Sequence, residues 1–211
     1  MSQMNLHILD AQKNLTAQKE WIHNSLSSTY ERAERTMQIP PLDVVVKCGK
    51  SVIKEKGHFG YCPEPGLVYM TVDPDNPAFL KNDAESFERM FAHELHHVAR
   101  WAGPGYGTTL GEALVSEGLA GHFALEIFGG NPEIWECLNA DTVQSYHFQI
   151  KEHWNSTEYD HFKWFYGTKD LPCWLGYTAG FNLVARYLKS HPQYNASMLS
   201  NADASEFKAF V

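Results

Sequence analysis

Basic side chains are few in this chain and are not clustered. Seventeen Lys and Arg residues stand against 25 Asp and Glu residues, which gives a formal net charge of -8 at pH 7. A protein that binds nucleic acid needs a basic stripe or patch to hold the phosphate backbone. We therefore expect no nucleic-acid partner.

Long apolar runs are absent as well. No stretch approaches the roughly 18 consecutive apolar residues that a membrane-spanning helix needs. The N-terminal segment has no basic region followed by an apolar one, which a secretory signal would have. The sequence therefore predicts a protein that remains in the cytoplasm and does not enter a membrane.

Cysteine is rare, and the four cysteines lie far apart without forming a CxxC pair. This spacing argues against a zinc ribbon and against a dense disulfide framework. The remaining composition is that of an ordinary globular protein, since 44% of the residues are hydrophobic and 13% are aromatic. The length of 211 residues favours a single domain over residues 1–211 with a substantial core.

Hydrophobic spacing divides the chain into three regions. They are a helical N-terminal region (1–40), a central region with a small sheet and two long helices (41–130), and a helical C-terminal part (131–211). Apolar residues from Met4 to Met37 largely follow helical spacing, which predicts one long or two shorter amphipathic helices. In the C-terminal part, aromatic residues such as Trp135 and Phe148 are candidate core residues.

The central region is expected to contain both strands and helices. Runs rich in β-branched and aromatic residues predict strands at 43–48, 58–61 and 67–72. Two helices follow, over about residues 84–100 and 109–128, and the short loop between them makes them neighbours in space. We therefore expect an α+β fold, mostly helical, in which a small antiparallel or mixed sheet packs beside this helix pair.

The first of these helices carries the strongest chemical signal, the pentapeptide His93-Glu94-Leu95-His96-His97. Residues four apart lie on one face of a helix, so His93 and His97 can bind the same ion, and two neutral imidazoles suit zinc. Glu94 lies further round that face, where its carboxylate can accept a proton from water. His96 lies on the other side of His93, and we assign it to the flank of the site.

The second helix carries a carboxylate in the middle of an apolar face. Glu117 lies on the same stripe as several apolar residues, and a buried, unpaired carboxylate is strongly destabilising. Zinc with two histidine ligands needs such an anionic oxygen as its third ligand, so we predict that Glu117 binds the metal. A buried acid that pairs with Arg100 or a histidine is the alternative. Glu112 points away and is expected to stabilise the helix start, where Thr108 is the predicted N-cap.

The sequence His93-Glu94-x-x-His97, followed by nineteen residues and Glu117, resembles the gluzincin zinc metallopeptidases, of which thermolysin is the familiar member. More narrowly, residues 92–98, 110–120 and 176–180 resemble a small bacterial family described as predicted zinc-dependent proteases. The resemblance implies a zincin-like fold, one zinc ion per chain and hydrolysis of peptide bonds.

The chain departs from the gluzincin pattern at one position. Thermolysin-like enzymes have an acid four residues after the third ligand, where it orients a ligand histidine, and this position is Gly121 here. Another residue would have to orient the ligand. The resemblance also makes Tyr177 the candidate donor to the oxyanion of the tetrahedral intermediate, with a packed core tyrosine as the alternative. Gly176 and Gly180 on either side would let this helix approach another backbone closely.

These expectations together describe a gluzincin-type metallopeptidase. His93, His97 and Glu117 hold zinc with a fourth position open, while Glu94 takes a proton from water and passes it to the leaving amine. The substrate, a peptide or protein, would lie along the edge of the strand at 67–72.

Two other functions remain open from the sequence. The first is a non-catalytic zinc-binding or regulatory protein on a peptidase scaffold, although a structural zinc does not require a base such as Glu94. The second is hydrolysis of a non-peptide amide.

Overall fold

The computed structural model describes residues 3–211, so the first two residues of the predicted N-terminal region lie outside the described range. Contacts divide the chain into two compact units. The first unit runs to Ala102 and includes Ile127–Gly130, and the second consists of Gly103–Glu126 and Asn131–Val211. The single domain predicted over residues 1–211 stays a prediction.

The first unit combines a sheet with helices. In chain order its elements are β1 (Met4–Leu9), α1 (Lys19–Glu34), β2 (Leu42–Cys48), β3 (His58–Glu64), β4 (Leu67–Val72), α2 (Pro77–Lys81) and α3 (Ser86–Trp101). The four strands form one sheet in the order β1-β2-β4-β3. Strand β2 is parallel to β1 and to β4, whereas β3 is antiparallel to β4. The sheet is therefore mixed. This confirms the predicted α+β fold, for which an antiparallel or a mixed sheet was expected.

The N-terminal prediction is wrong for its first segment. Met4–Leu9 is a strand paired with β2 along its whole length, and the helix begins only at Lys19. The segment alternates between half-buried residues, such as Leu6 and Ile8, and exposed ones, which is the period of a strand. Leu6 and Leu9 are three residues apart and therefore also fit helical spacing, which is why the hydrophobic pattern alone predicted a helix here.

The expected substrate edge is also corrected. Strand β4 lies inside the sheet with β2 on one side and β3 on the other, so Leu67–Val72 is not an edge. Its nearly continuous apolar run is typical of an interior strand. Among the described strands, the sheet ends at β1 and β3.

Helix α3 packs against α1 and against strands β3 and β4. It begins close to the predicted start, and the side chain of Asn82 accepts a hydrogen bond from the Phe87 N–H at 2.9 Å. The Ser25 hydroxyl of α1 donates to Glu88 at 2.6 Å, and His58 of β3 contacts the Ser86 hydroxyl at 3.0 Å. These bonds hold α3 between a helix and the outer strand of the sheet.

The second unit is helical, as predicted for the C-terminal part. Its elements are α4 (Leu110–Phe128, whose last two residues belong to the first unit), α5 (Ala140–Ser145), α6 (His147–His153), α7 (His161–Tyr166) and α8 (Leu175–Ser190), with 3-10 turns at Ile134–Glu136, Ser197–Leu199 and Ala204–Phe210. Trp135 is buried, but the expected core residue Phe148 is 75% exposed. None of the helices within residues 3–211 is long and apolar enough to cross a membrane.

The start of α4 is fixed by Glu112. Its Oε2 accepts hydrogen bonds from the N–H groups of Thr108 and Thr109, each at 2.8 Å, and the Thr109 hydroxyl accepts from the Glu112 N–H at 3.3 Å. This reciprocal arrangement is a capping box, so the cap is Thr109 rather than Thr108. Burial raises the pKa of Glu112, but the four hydrogen bonds from the threonines bring it below its usual value. The predicted structural role of Glu112 is confirmed.

Helices α4 and α8 approach each other at two glycines. A Cβ atom at Gly180 would overlap the Leu114 carbonyl oxygen, and one at Gly118 would overlap the Gly180 carbonyl group. Because both neighbours are backbone atoms, they cannot move aside as a flexible side chain would. The close approach predicted for Gly180 is confirmed, while Gly176 lies against the ring of Phe165.

We expect Gly180→Ala to lower the free energy of unfolding by about 1–3 kcal/mol, because the added methyl group overpacks this crossing. In an unobstructed helix the same substitution would stabilise the protein by up to about 1 kcal/mol, so the sign of the change is informative. Urea denaturation measures it. Lys189→Ala, at an exposed position of α8, is the control and should change stability by less than about 0.5 kcal/mol. A Gly180→Ala variant as stable as the wild type would contradict the crossing.

Candidate metal centre

Helix α3 presents the HExxH residues in its buried middle. His93, Glu94 and His97 are all at most 6% exposed. The Nε2 atoms of His93 and His97 lie 3.1 Å apart. Two nitrogen ligands of a tetrahedral zinc ion, each about 2.0–2.1 Å from the metal, would be about 3.3 Å apart. The two rings therefore already have the separation that binding to one zinc ion requires.

Glu117 lies in the middle of α4 and is buried. Its Oε1 accepts a hydrogen bond from the Tyr106 hydroxyl at 2.7 Å. Burial and the negative charge of Glu117 raise the pKa of Tyr106 well above its usual value, so the phenol stays protonated and remains a donor. The bond fixes the rotation of the carboxylate.

His93, His97 and Glu117 form a group that could hold a metal ion. Each offers one ligand atom, and these atoms all lie within 4.8 Å of one another. Two imidazoles and one carboxylate are a donor set found in catalytic zinc sites, where the fourth position remains open. The residues therefore fit zinc by their chemistry and burial. His96 is fully buried but does not belong to this group, in keeping with its assignment to the flank.

Glu94 faces strand β3. A Cβ atom at Gly60 would lie 2.7 Å from the Oε1 atom of Glu94 and 2.6 Å from its Cγ, so any larger residue at position 60 would push the carboxylate away. Cys62, on the same face of β3, is also close. Burial raises the pKa of its thiol, and the charge of Glu94 raises it further. Strand β3 therefore forms one wall around the predicted base.

The departure from the gluzincin pattern at Gly121 has a structural counterpart. The carboxylate of Glu136 occupies the space that a side chain at position 121 would fill. Glu136 is buried, and its Oε2 accepts a hydrogen bond from the Glu133 N–H at 2.7 Å. A carboxylate thus lies one turn beyond Glu117, although it is attached to the Ile134–Glu136 turn rather than to α4.

The surroundings of Tyr177 are aromatic. Its hydroxyl donates to the Tyr166 hydroxyl at 3.4 Å, and its ring lies edge-on to Phe165 with centroids 5.0 Å apart. Tyr177 also contributes to the raised pKa of Tyr106. Its predicted role at the oxyanion stays a prediction.

Sequence reasoning missed two residues near Glu117. Tyr106 lies in the short loop expected between the two helices, and His161 lies in the predicted helical C-terminal part without a role of its own. The charge of Glu117 acts on His161, although burial has the larger effect and lowers the pKa of its imidazole. The rings of Tyr106 and His161 lie edge-on with centroids 5.8 Å apart. Neither residue belongs to a motif, so only the folded chain reveals them.

We expect Tyr106→Phe to weaken zinc binding by about 10- to 100-fold, because loss of a partner that orients a ligand typically has this effect. Competition with a chelator of known zinc affinity measures it. Tyr159→Phe is the matched control, since the Tyr159 hydroxyl contacts His161 Nδ1 at 3.4 Å rather than Glu117. Equal zinc affinity of the two variants would contradict a positioning role for Tyr106.

A comparison with protein-family models gives a match over residues 22–209, to the family described as Predicted Zn-dependent protease (DUF2268). The matched range contains His93, Glu94, His97 and Glu117. No curated protein and no solved structure matches the chain. Because the family model covers most of the sequence, this chain belongs to the DUF2268 family of predicted Zn-dependent proteases.

Proposed function

We propose that the protein is a zinc-dependent peptidase of the gluzincin type. The observation that carries this proposal is the group of three buried ligands, His93, His97 and Glu117, whose ligand atoms lie within 4.8 Å of one another. Glu94 next to the first ligand and the family match over residues 22–209 support it. One zinc ion per chain is proposed, in a cytoplasmic protein that acts on peptides or proteins and on neither nucleic acid nor membranes.

Zinc bound by these residues would make water more acidic and polarise the scissile carbonyl group. The carboxylate of Glu94 accepts a proton from the attacking water and then donates it to the leaving amine. Gly60 leaves room for this carboxylate beside β3. Tyr177 is proposed to donate a hydrogen bond to the oxyanion.

The substrate peptide is proposed to bind along β3 instead of β4. Strand β3 is the outer strand next to Glu94, and a peptide can add to such an edge through main-chain hydrogen bonds. Tyr61, on the face of β3 opposite Gly60 and Cys62, is 55% exposed.

Elemental analysis of the purified protein tests the metal site. We expect one zinc ion per chain in the wild type and zinc affinity more than about 100-fold lower in Glu117→Ala, since loss of a ligand exceeds loss of an orienting partner. Glu152→Ala, which removes an exposed carboxylate of α6, is the control and should retain zinc. If the wild type binds no zinc even after the metal is added, the proposed function is wrong.

Digestion of a peptide library tests the chemistry. We expect Glu94→Gln to retain zinc but to lose activity by at least about 100-fold, because general acid–base catalysis contributes about 10²–10⁴-fold. Gly60→Ala should also retain zinc and lose activity, since its methyl group displaces Glu94. Gly49→Ala is the control, because its methyl group would meet Thr71 instead. A wild type that binds zinc but cleaves neither peptides nor other amides would favour the non-catalytic zinc-binding alternative.

A further inference from the structure

We propose that aromatic rings next to Glu117 bind a large apolar side chain of the peptide substrate, preferably an aromatic one. The rings belong to Tyr106, His161, Phe162, Tyr166 and Tyr177, which we call the aromatic strip. This inference rests on the proposed peptidase function and adds the class of substrate to it.

The strip begins at a proposed metal ligand. Tyr106 donates to the Glu117 carboxylate at 2.7 Å, and its ring lies 5.8 Å from that of His161. The His161 ring lies 6.4 Å from that of Tyr166, which stacks on Phe162 at 5.2 Å with an interplanar angle of 22°. A series of ring contacts therefore leads from the metal ligand to the protein surface.

Tyr177 widens the outer part of the strip. Its ring lies 6.3 Å from that of Tyr166 and nearly perpendicular to it, and the two hydroxyls are in contact at 3.4 Å. Rings at an angle of 87° form a corner. A flat apolar side chain can pack into such a corner with one face and one edge in contact.

The outer rings are exposed although they are apolar. Phe162 is 66% exposed and Tyr166 is 37% exposed, and they lie four residues apart, on one face of α7. Two other residues of α7 are fixed in the core, since Trp164 is 6% exposed and Phe165 is fully buried. Asp160 caps the helix by accepting from the Lys163 N–H at 3.0 Å. The exposed rings are thus carried by an anchored helix.

The strip carries no charge at neutral pH. Its members are tyrosine and phenylalanine rings and the imidazole of His161, and burial lowers the pKa of that imidazole, which favours its neutral form. Lys163, on the same helix, pairs with Asp170 at 3.5 Å. A neutral surface of rings favours an apolar side chain over a charged one, because a charged side chain would lose hydration there without gaining a partner.

A binding experiment without turnover tests the strip. The probes are two peptide hydroxamates, which bind zinc directly and differ only in carrying a phenylalanine or a glycine side chain beside the hydroxamate. They are titrated against the zinc-loaded full chain as wild type, as Phe162→Ala/Tyr166→Ala and as Phe148→Ala. Phe148 is the matched control, since it is exposed on α6 and outside the strip.

We expect the wild type to bind the phenylalanine probe about tenfold more tightly than the glycine probe, since burial and stacking of one ring contribute at least this much. The double variant should reduce the ratio to about twofold or less, and Phe148→Ala should keep it. An undiminished ratio in the double variant, equal binding of the two probes by the wild type, or no binding of either would overturn the proposal.

Digestion of paired library peptides separates this inference from the proposed function. Cleavage with no preference for a large apolar residue beside the cleaved bond would overturn the strip and leave the peptidase. A tenfold probe preference that depends on the strip, in a protein that cleaves no peptide, would support the strip and contradict the peptidase.

Discussion

Burial of ionisable side chains is the constraint on which this structure depends. From Arg89 to Arg100 every side chain of α3 is buried, and this stretch contains three histidines, one glutamate and two arginines. A buried charge destabilises a protein by several kcal/mol unless it is paired or binds a metal. The segment therefore needs defined partners, such as the Gly129 carbonyl group that accepts from Arg89. A zinc ion would act as one such partner for His93, His97 and Glu117 together, so we expect metal binding and stability to be linked.

Glycines make the room that these carboxylates need. Glu94 fits against β3 because position 60 has no side chain, and Glu136 fits beside α4 because position 121 has none. In both cases a Cβ atom would lie against the carboxylate. The absence of a side chain at positions 60 and 121 therefore allows each carboxylate to lie where it does. At Gly118 and Gly180 the same lack of a side chain serves packing, since there the neighbours are backbone atoms. The effect of substituting a glycine thus depends on whether its neighbour is a carboxylate side chain or the main chain.

Much of the fold followed from local patterns, and what was missed depends on long-range packing. The HExxH helix, α4 and the strands of the central region were predicted, because each has a periodicity and end signals of its own. The sheet was predicted only as antiparallel or mixed. Met4–Leu9 was not predicted as a strand, because so short a segment fits both a helical and a strand pattern. Only its pairing with β2 decides between them. The position of Leu67–Val72 inside the sheet depends on strand order, which no single segment encodes. Tyr106 lies outside regular structure, and only its bond to Glu117 identifies it.

Sequence motifs identify the proposed metal ligands but not the residues around them. The proposed ligands are on α3 and α4, where fixed spacings of four and twenty residues bring their side chains onto buried helix faces. The groups around these helices come from other segments. Tyr106, before α4, donates to Glu117, Glu136 of a 3-10 turn lies against Gly121, and Gly60 of β3 leaves room for Glu94. A carboxylate at the end of a turn can take the place of one attached to the helix, because a metal site depends on the position of the charge and not on the residue number that carries it. At Gly121 the carboxylate of Glu136 lies where a side chain on α4 would be, so this part of the helix still has an acid beside it although the gluzincin pattern is not kept.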